Sequence, residues 1–142
     1  MEYRKVDFNH FVIRIDKGEE IISEIKEFCE IENVMCGSIL GLGAANYVKV
    51  GLFDTEYKKY NSKEFSGPME ITSLVGNIST QDGEIYLHCH INLCDSSMNV
   101  FGGHLNECVV GATCEIIITV IDGVVERKFD DVIGLNLFKF LS

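Results

Sequence analysis

Tryptophan is absent from these 142 residues and proline occurs once, at Pro68. A proline-rich linker is therefore excluded, and no repeat or low-complexity segment divides the chain. Basic residues are scarce: 12 Lys and Arg stand against 22 Asp and Glu, a formal net charge of -10. That balance opposes attraction to phosphate backbones, which depends on Lys and Arg neutralising them. The densest basic clusters, Tyr57-Lys58-Lys59-Tyr60 and Arg127-Lys128, are short and read as solvated strand edges. No apolar run reaches the length of a membrane span, and no basic segment followed by an apolar run and a cleavage site opens the chain. A cytoplasmic protein that makes no membrane contact is the expectation. Cys-x-x-Cys pairs are missing as well, so Cys29, Cys36, Cys89, Cys94, Cys108 and Cys114 read as reduced, mostly buried thiols rather than a disulfide framework.

What remains is an ordinary globular composition, 46% hydrophobic and 24% charged, at a length that suits one domain spanning residues 1–142. The segment Phe8–Ile15 has strand composition and is broken by Asp16-Lys17-Gly18. Ile21, Ile22, Ile25, Phe28 and Cys29 then fall at helical spacing, with Glu19 and Glu20 at the positive end of the helix dipole and a stop near Glu32-Asn33. Met35–Leu42 and Tyr47–Phe53 read as a hairpin turning at Gly43-Ala44-Ala45-Asn46. Gly41-x-Gly43 is not a dinucleotide fingerprint, because the third glycine and the following helix are missing.

Further strands are expected over Glu56–Phe65 and from Met69 to Ile78. Asp82-Gly83 is a preferred two-residue hairpin loop, and it sets Gln81 opposite Glu84. Counting back pairs Ile78 with Leu87, Gly76 with Cys89 and Leu74 with Ile91 on one face, and Asn77 with His88 and Val75 with His90 on the other. A slip of one residue would scramble both faces. Thr113–Ile121 reads as a buried strand, followed by a second hairpin at Asp122-Gly123 with Val124–Phe129, and Leu135–Phe140 alternates as a final strand.

Three of the four histidines fall in two neighbouring phrases, Tyr86-Leu87-His88-Cys89-His90-Ile91-Asn92 and Phe101-Gly102-Gly103-His104-Leu105. On a strand, residues two apart share a face, so His88 and His90 stand side by side while Cys89 points into the core. That opposition removes a Cys-His nucleophile pair there. Gly102-Gly103 permits a turn or a close backbone approach just before His104. Three imidazoles leave a zinc ion an open position for activating water. The alternative for a His-x-His pair is a hydrogen-bonded polar face with no metal. Glu115, a carboxylate in apolar company, is either a structural acceptor or part of a site. With Glu70 it forms the pair of catalytic candidates, while Asn77, Gly102 and Gly103 are the expected pocket-lining neighbours. His10 has no such context.

The ordered set Arg14-x-x-x-Gly18-Glu19-Glu20-Ile21, Gly37-Ser38-Ile39-Leu40-Gly41-Leu42-Gly43-Ala44, Met69-Glu70-Ile71, Gly76-Asn77-Ile78, His88-Cys89-His90, Gly102-Gly103-His104-Leu105 and Thr113-x-Glu115 resembles the PPC domain. This is the "plants and prokaryotes" domain that accompanies AT-hooks in plant nuclear proteins. The resemblance covers nearly the whole chain. It implies an α+β domain, a mostly antiparallel sheet with flanking helices, assembled as a homotrimer, and it brings the family label "DNA-binding". In the plant proteins DNA contact belongs chiefly to the AT-hook, and this chain has no such Arg-Gly-Arg-Pro-type segment. Stand-alone prokaryotic members are similar at the histidine phrases, which implies a metal triad of His88, His90 and His104 holding zinc or another divalent transition metal. The readings carried forward are a homotrimer acting through protein partners or DNA, and a zinc-dependent enzyme or small-molecule binder.

Overall fold

A computed structural model describes residues 1–140. The elements in order are β1 (Glu2–Lys5), β2 (His10–Asp16), α1 (Ile21–Glu32), β3 (Gly37–Asp54), β4 (Lys59–Gln81), β5 (Glu84–Cys94), β6 (Val100–Val120), β7 (Glu126–Asp130) and β8 (Leu135–Lys139). All pairings are antiparallel except a single parallel bridge from Thr80 to Glu126. The main path runs β1-β2-β6-β3-β4-β7-β8, and β5 joins β4 to β6. Because β3 pairs with both β4 and β6, the four long strands form a closed circuit of pairing. Closure leaves these strands few free edges.

The apolar residues fill the inside of that circuit. Leu74, Ile78, Cys89, Ile91, Leu93, Ile116 and Ile118 are all buried there, and α1 adds Ile21, Ile25, Phe28 and Cys29. The helix starts where Glu20 accepts from the backbone N–H of Ile22 and Ser23, and it ends at Asn33, whose φ of 54° is left-handed. Both ends thereby satisfy backbone groups that an uncapped helix would strand. A further Glu20 contact, from the Cys108 N–H at 3.0 Å, ties the helix start to β6. The predicted helical face is the one buried, with Ile22 at its margin. Among the described residues this is the only helix, where flanking helices were expected. No helix there is long and apolar enough to cross a membrane.

The Asp82-Gly83 turn forms as expected, with φ values of 53° and 81°, both positive as this turn type requires. Its register is also the expected one: Asn77 opposite His88, Val75 opposite His90 and Leu74 opposite Ile91. Two other turns do not form. Gly43-Ala44-Ala45-Asn46 lies inside the continuous β3, which has a partner on each side and takes up its bend at register shifts between Gly41 and Gly43 and between Ala45 and Tyr47. Gly102-Gly103 lies inside β6, where the pair serves close backbone approach, the other of its two expected uses. Asp122-Gly123 does not fold β7 back onto β6; the chain instead crosses to the end of β4, where Thr80 bridges Glu126 just beyond the last pairing with β3 and β7 and β8 make their own hairpin.

The outward face carries an apolar row at right angles to the strands. Val12 lies opposite Ile117, Ile117 opposite Leu40, and Leu40 opposite Val75. These four are 43%, 47%, 60% and 47% exposed respectively. The row runs on through His90, opposite Val75, to His104, opposite His90.

Candidate metal centre and its cavity

Strand alternation on β5 and cross-strand pairing with β6 bring His88, His90 and His104 together. Each offers a ring nitrogen, and these nitrogens all lie within 4.8 Å of one another. Ring centroids are 5.1 Å apart for His88 and His90, 5.2 Å for His88 and His104, and 5.6 Å for His90 and His104. Ligand nitrogens on a tetrahedral zinc ion stand roughly 3.3 Å apart, given Zn–N bonds of about 2.0 Å. Closing from one spacing to the other requires side-chain swings on the order of 1 Å, within the range of imidazole torsions. Among the described residues this is the only group of three or more His, Cys, Asp or Glu side chains so arranged.

Electrostatics keeps His88 and His104 in their ligating form. Burial, then the neighbouring His104, Arg127 and His90, push the His88 imidazole down to about 4. His104 is lowered by burial and then by His90. Both are neutral at pH 7, with a lone pair available. The donor set is all nitrogen: Cys89 is buried on the opposite face, its thiol pushed up to about 12 by burial. The residues therefore fit a borderline ion that accepts imidazole.

Close backbone approach makes room for the third ligand. A side chain at Gly103 would place its Cβ 2.8 Å from the Gly51 carbonyl oxygen, so β3 and β6 meet this closely only because residue 103 is glycine. Gly51 in turn lies under the Tyr60 ring. Tyr60 stands edge-on to His104, with centroids 6.1 Å apart, and donates its hydroxyl to Asn106 Oδ1.

All three histidines open into a cavity of about 640 Å³. Leu52 and Phe53 from β3 form one wall, Leu135, Asn136 and Leu137 from β8 another, with Tyr60, Tyr86, Gly103, Asn106 and Arg127 between them. The β7–β8 hairpin is held over the site by Arg127. Its guanidinium donates from Nε to Ser79 Oγ at 2.8 Å, from Nη1 to the Asn136 carbonyl at 2.9 Å and from Nη2 to Asn77 Oδ1 at 2.8 Å. It also lies between the rings of Tyr86 and Phe138, 4.8 Å and 4.2 Å from their centroids.

The remaining sequence candidates fall as follows. Asn77 borders a smaller depression with Val75, Gly76, His88 and His90, on the other side of the histidine pair, and holds Arg127. Gly102 lies in a groove with Phe65 and Phe101 that contains no histidine. Glu115 is exposed, contrary to the apolar setting expected of it: on β6 the odd-numbered neighbours Glu115 and Ile117 face outward, while Cys114, Ile116 and Ile118 are buried. Glu70 is exposed beside a depression formed with Pro68, Met69 and Asp95. Neither carboxylate lines the cavity. His10 sits at the edge of β2, its Nδ1 2.8 Å from Asp7 Oδ2.

Sequence reasoning missed Arg127, Tyr60 and Asn136, because Arg127-Lys128 and Tyr57–Tyr60 read as solvated edges. Arg127 is 8% exposed, while Lys128 is exposed. The signal was strand alternation: adjacent basic residues point to opposite faces, so only one of them remains in water once the hairpin packs down.

Comparison with known proteins identifies the family. The family description of the Plants and Prokaryotes Conserved (PCC) domain matches residues 3–122, and the chain belongs to that family. A Pyrococcus horikoshii structure described as a plant- and prokaryote-conserved (PPC) protein is 34% identical, with 95% of this chain and 94% of that one covered and a TM-score of 0.86. A metal-containing protein from Archaeoglobus fulgidus is 33% identical over 99% of each chain, with a TM-score of 0.88. A presumptive DNA-binding protein from Bacteroides thetaiotaomicron is 30% identical, covering 98% of this chain and 96% of that one, with a TM-score of 0.95. No curated protein matches the chain.

Proposed function

We propose that this PCC-family chain is a homotrimeric metal-binding protein, with zinc or another divalent transition ion held by His88, His90 and His104. The observation that carries the metal reading is the convergence of three ring nitrogens within 4.8 Å. The metal-containing relative at 33% identity supports it. An ion so held supplies Lewis-acid chemistry, polarising a carbonyl or activating water. The chain's own contribution is to present the neutral imidazoles of His88 and His104 beside His90, to keep thiolates and carboxylates out of the cluster, and to leave the cavity open to it.

Self-association is supported by the row Val12, Ile117, Leu40 and Val75, an exposed apolar band of the kind that subunit contacts cover. A second copy seated on it would stand beside His90. The cavity favours a metal-dependent enzyme or small-molecule binder over a DNA-binding role, because a net charge of -10 works against phosphate contacts. A mobility-shift assay across a salt series tests that ordering, and a shift at low salt that weakens steeply as salt rises would reverse it.

Elemental analysis of untagged protein, purified without chelator beside a folded His88→Ala, His90→Ala variant, tests the metal. One ion per subunit, lost in the variant, is expected. No ion in either protein after zinc is supplied and the excess removed defeats the metal reading.

A further inference from the structure

Among the described residues Arg127 is a buried cation with no anion beside it. Its three hydrogen bonds go to neutral acceptors, Ser79 Oγ, Asn77 Oδ1 and the Asn136 carbonyl. Among the described residues no carboxylate lies within ion-pairing distance of it. Its neighbour Glu126 is turned away, accepting from the Gly83 N–H at 3.3 Å. Burying a charge unpaired is costly, and a chain with 22 acidic residues had many ways to avoid it. A purely structural clamp between β7–β8 and β4 would need only the hydrogen bonds.

The guanidinium also has capacity to spare. Of five N–H donors, three are engaged, which leaves one on each terminal nitrogen. An N–H from each terminal nitrogen can meet the two oxygens of a carboxylate. The rings of Tyr86 and Phe138 fix the guanidinium plane, so little side-chain entropy remains to be lost on binding. The residual exposure of Arg127 faces the cavity it lines, whose walls include Leu52, Phe53, Leu135 and Leu137 and contain no acidic residue. At about 640 Å³ the space is of metabolite size.

We propose that this cavity binds a small organic carboxylate, its anionic end paired with Arg127 and its apolar body against the leucines and Phe53. This rests on reading the cavity as a ligand site; it does not require the metal.

The test is calorimetric titration with acetate, butyrate and hexanoate and with the matching neutral amides, on wild-type protein that is either zinc-loaded or stripped by chelator. The carboxylates should bind at least tenfold more tightly than the amides in both forms. Affinity should rise by about threefold to fourfold per added methylene, the value for burying each CH₂. Arg127→Met should erase the preference for carboxylate over amide. Since that variant can loosen the β7–β8 hairpin, Leu52→Trp provides a second probe: it adds bulk to an apolar wall of the cavity at a residue that makes none of the contacts of Arg127, and it should weaken hexanoate more than acetate.

A carboxylate preference seen only with zinc and unchanged in Arg127→Met would place the anion on the metal and overturn the proposal. Equal binding of acids and amides, or no saturation by any of them in either form, would overturn it too. A preference retained in a protein that binds no zinc would sustain this inference while the metal reading fell.

Discussion

Replacing Leu40 by alanine probes the apolar row where its cost can be worked out. Leu40 is 60% exposed in the isolated subunit. Burying a leucine fully is worth about 2 kcal/mol, so covering the exposed portion contributes on the order of 1 kcal/mol per subunit. A symmetric trimer loses three such contributions, about 3 kcal/mol, which is roughly a 150-fold change in the overall association constant. Monomer concentration enters that constant as a cube against one trimer, so the midpoint concentration of assembly rises by the square root, about tenfold. Sedimentation equilibrium or mass photometry across a dilution series measures this directly. Leu52→Ala is the control, since Leu52 is 66% exposed but lies beside the cavity and off the row. Two results refute the reasoning: wild-type protein that stays monomeric at high micromolar concentration, or equal shifts for Leu40→Ala and Leu52→Ala.

Zinc at 100 times its dissociation constant should stabilise the chain by about 2.7 kcal/mol, a rise in melting temperature on the order of 8 °C, and His104→Ala should show no such rise. In metal-free protein the His88 imidazole stands at about 4, against an unperturbed 6.5. The unfolded chain therefore takes up the proton first: stability is full above pH 6.5 and falls as pH drops toward 4, with His104 adding in the same direction. Urea midpoints at pH 7.5 and 5.5 should show that loss, and His88→Gln should reduce it. Burial pushes the thiols of Cys29, Cys89, Cys108 and Cys114 up to about 12, so iodoacetamide at pH 8 should spare them in the native state and label them only after unfolding. Peptide mass mapping that found Cys89 labelled quickly would restore a cysteine-based chemistry.

What was legible in the sequence was local. The hairpin at Asp82-Gly83 carries its own register, because the turn geometry and the two-residue alternation together leave one pairing that keeps Leu74, Ile78, Cys89 and Ile91 inside. The same alternation puts His88 and His90 side by side and Cys89 behind them. The helix from Ile21 to Glu32 follows from the spacing of Ile21, Ile25, Phe28 and Cys29 and from a polar residue at each end.

What only the tertiary structure decided was long-range. Gly43 reads as a turn because a turn is the commonest use of glycine, and for Gly102-Gly103 the sequence leaves a turn and a close approach both open. Here they sit within long strands whose partners lie far away in sequence, and Gly103 serves close approach. The exposure of Glu115 depends on which face of β6 meets the core, and the crossing of β7 to β4 depends on an edge that β3 had already closed to it. Arg127 shows the difference most clearly. Nothing near it in the chain distinguishes it from Lys128, since its partners Asn77 and Ser79 lie about fifty residues away and come within reach only once the sheet has curled and the last hairpin has folded across it.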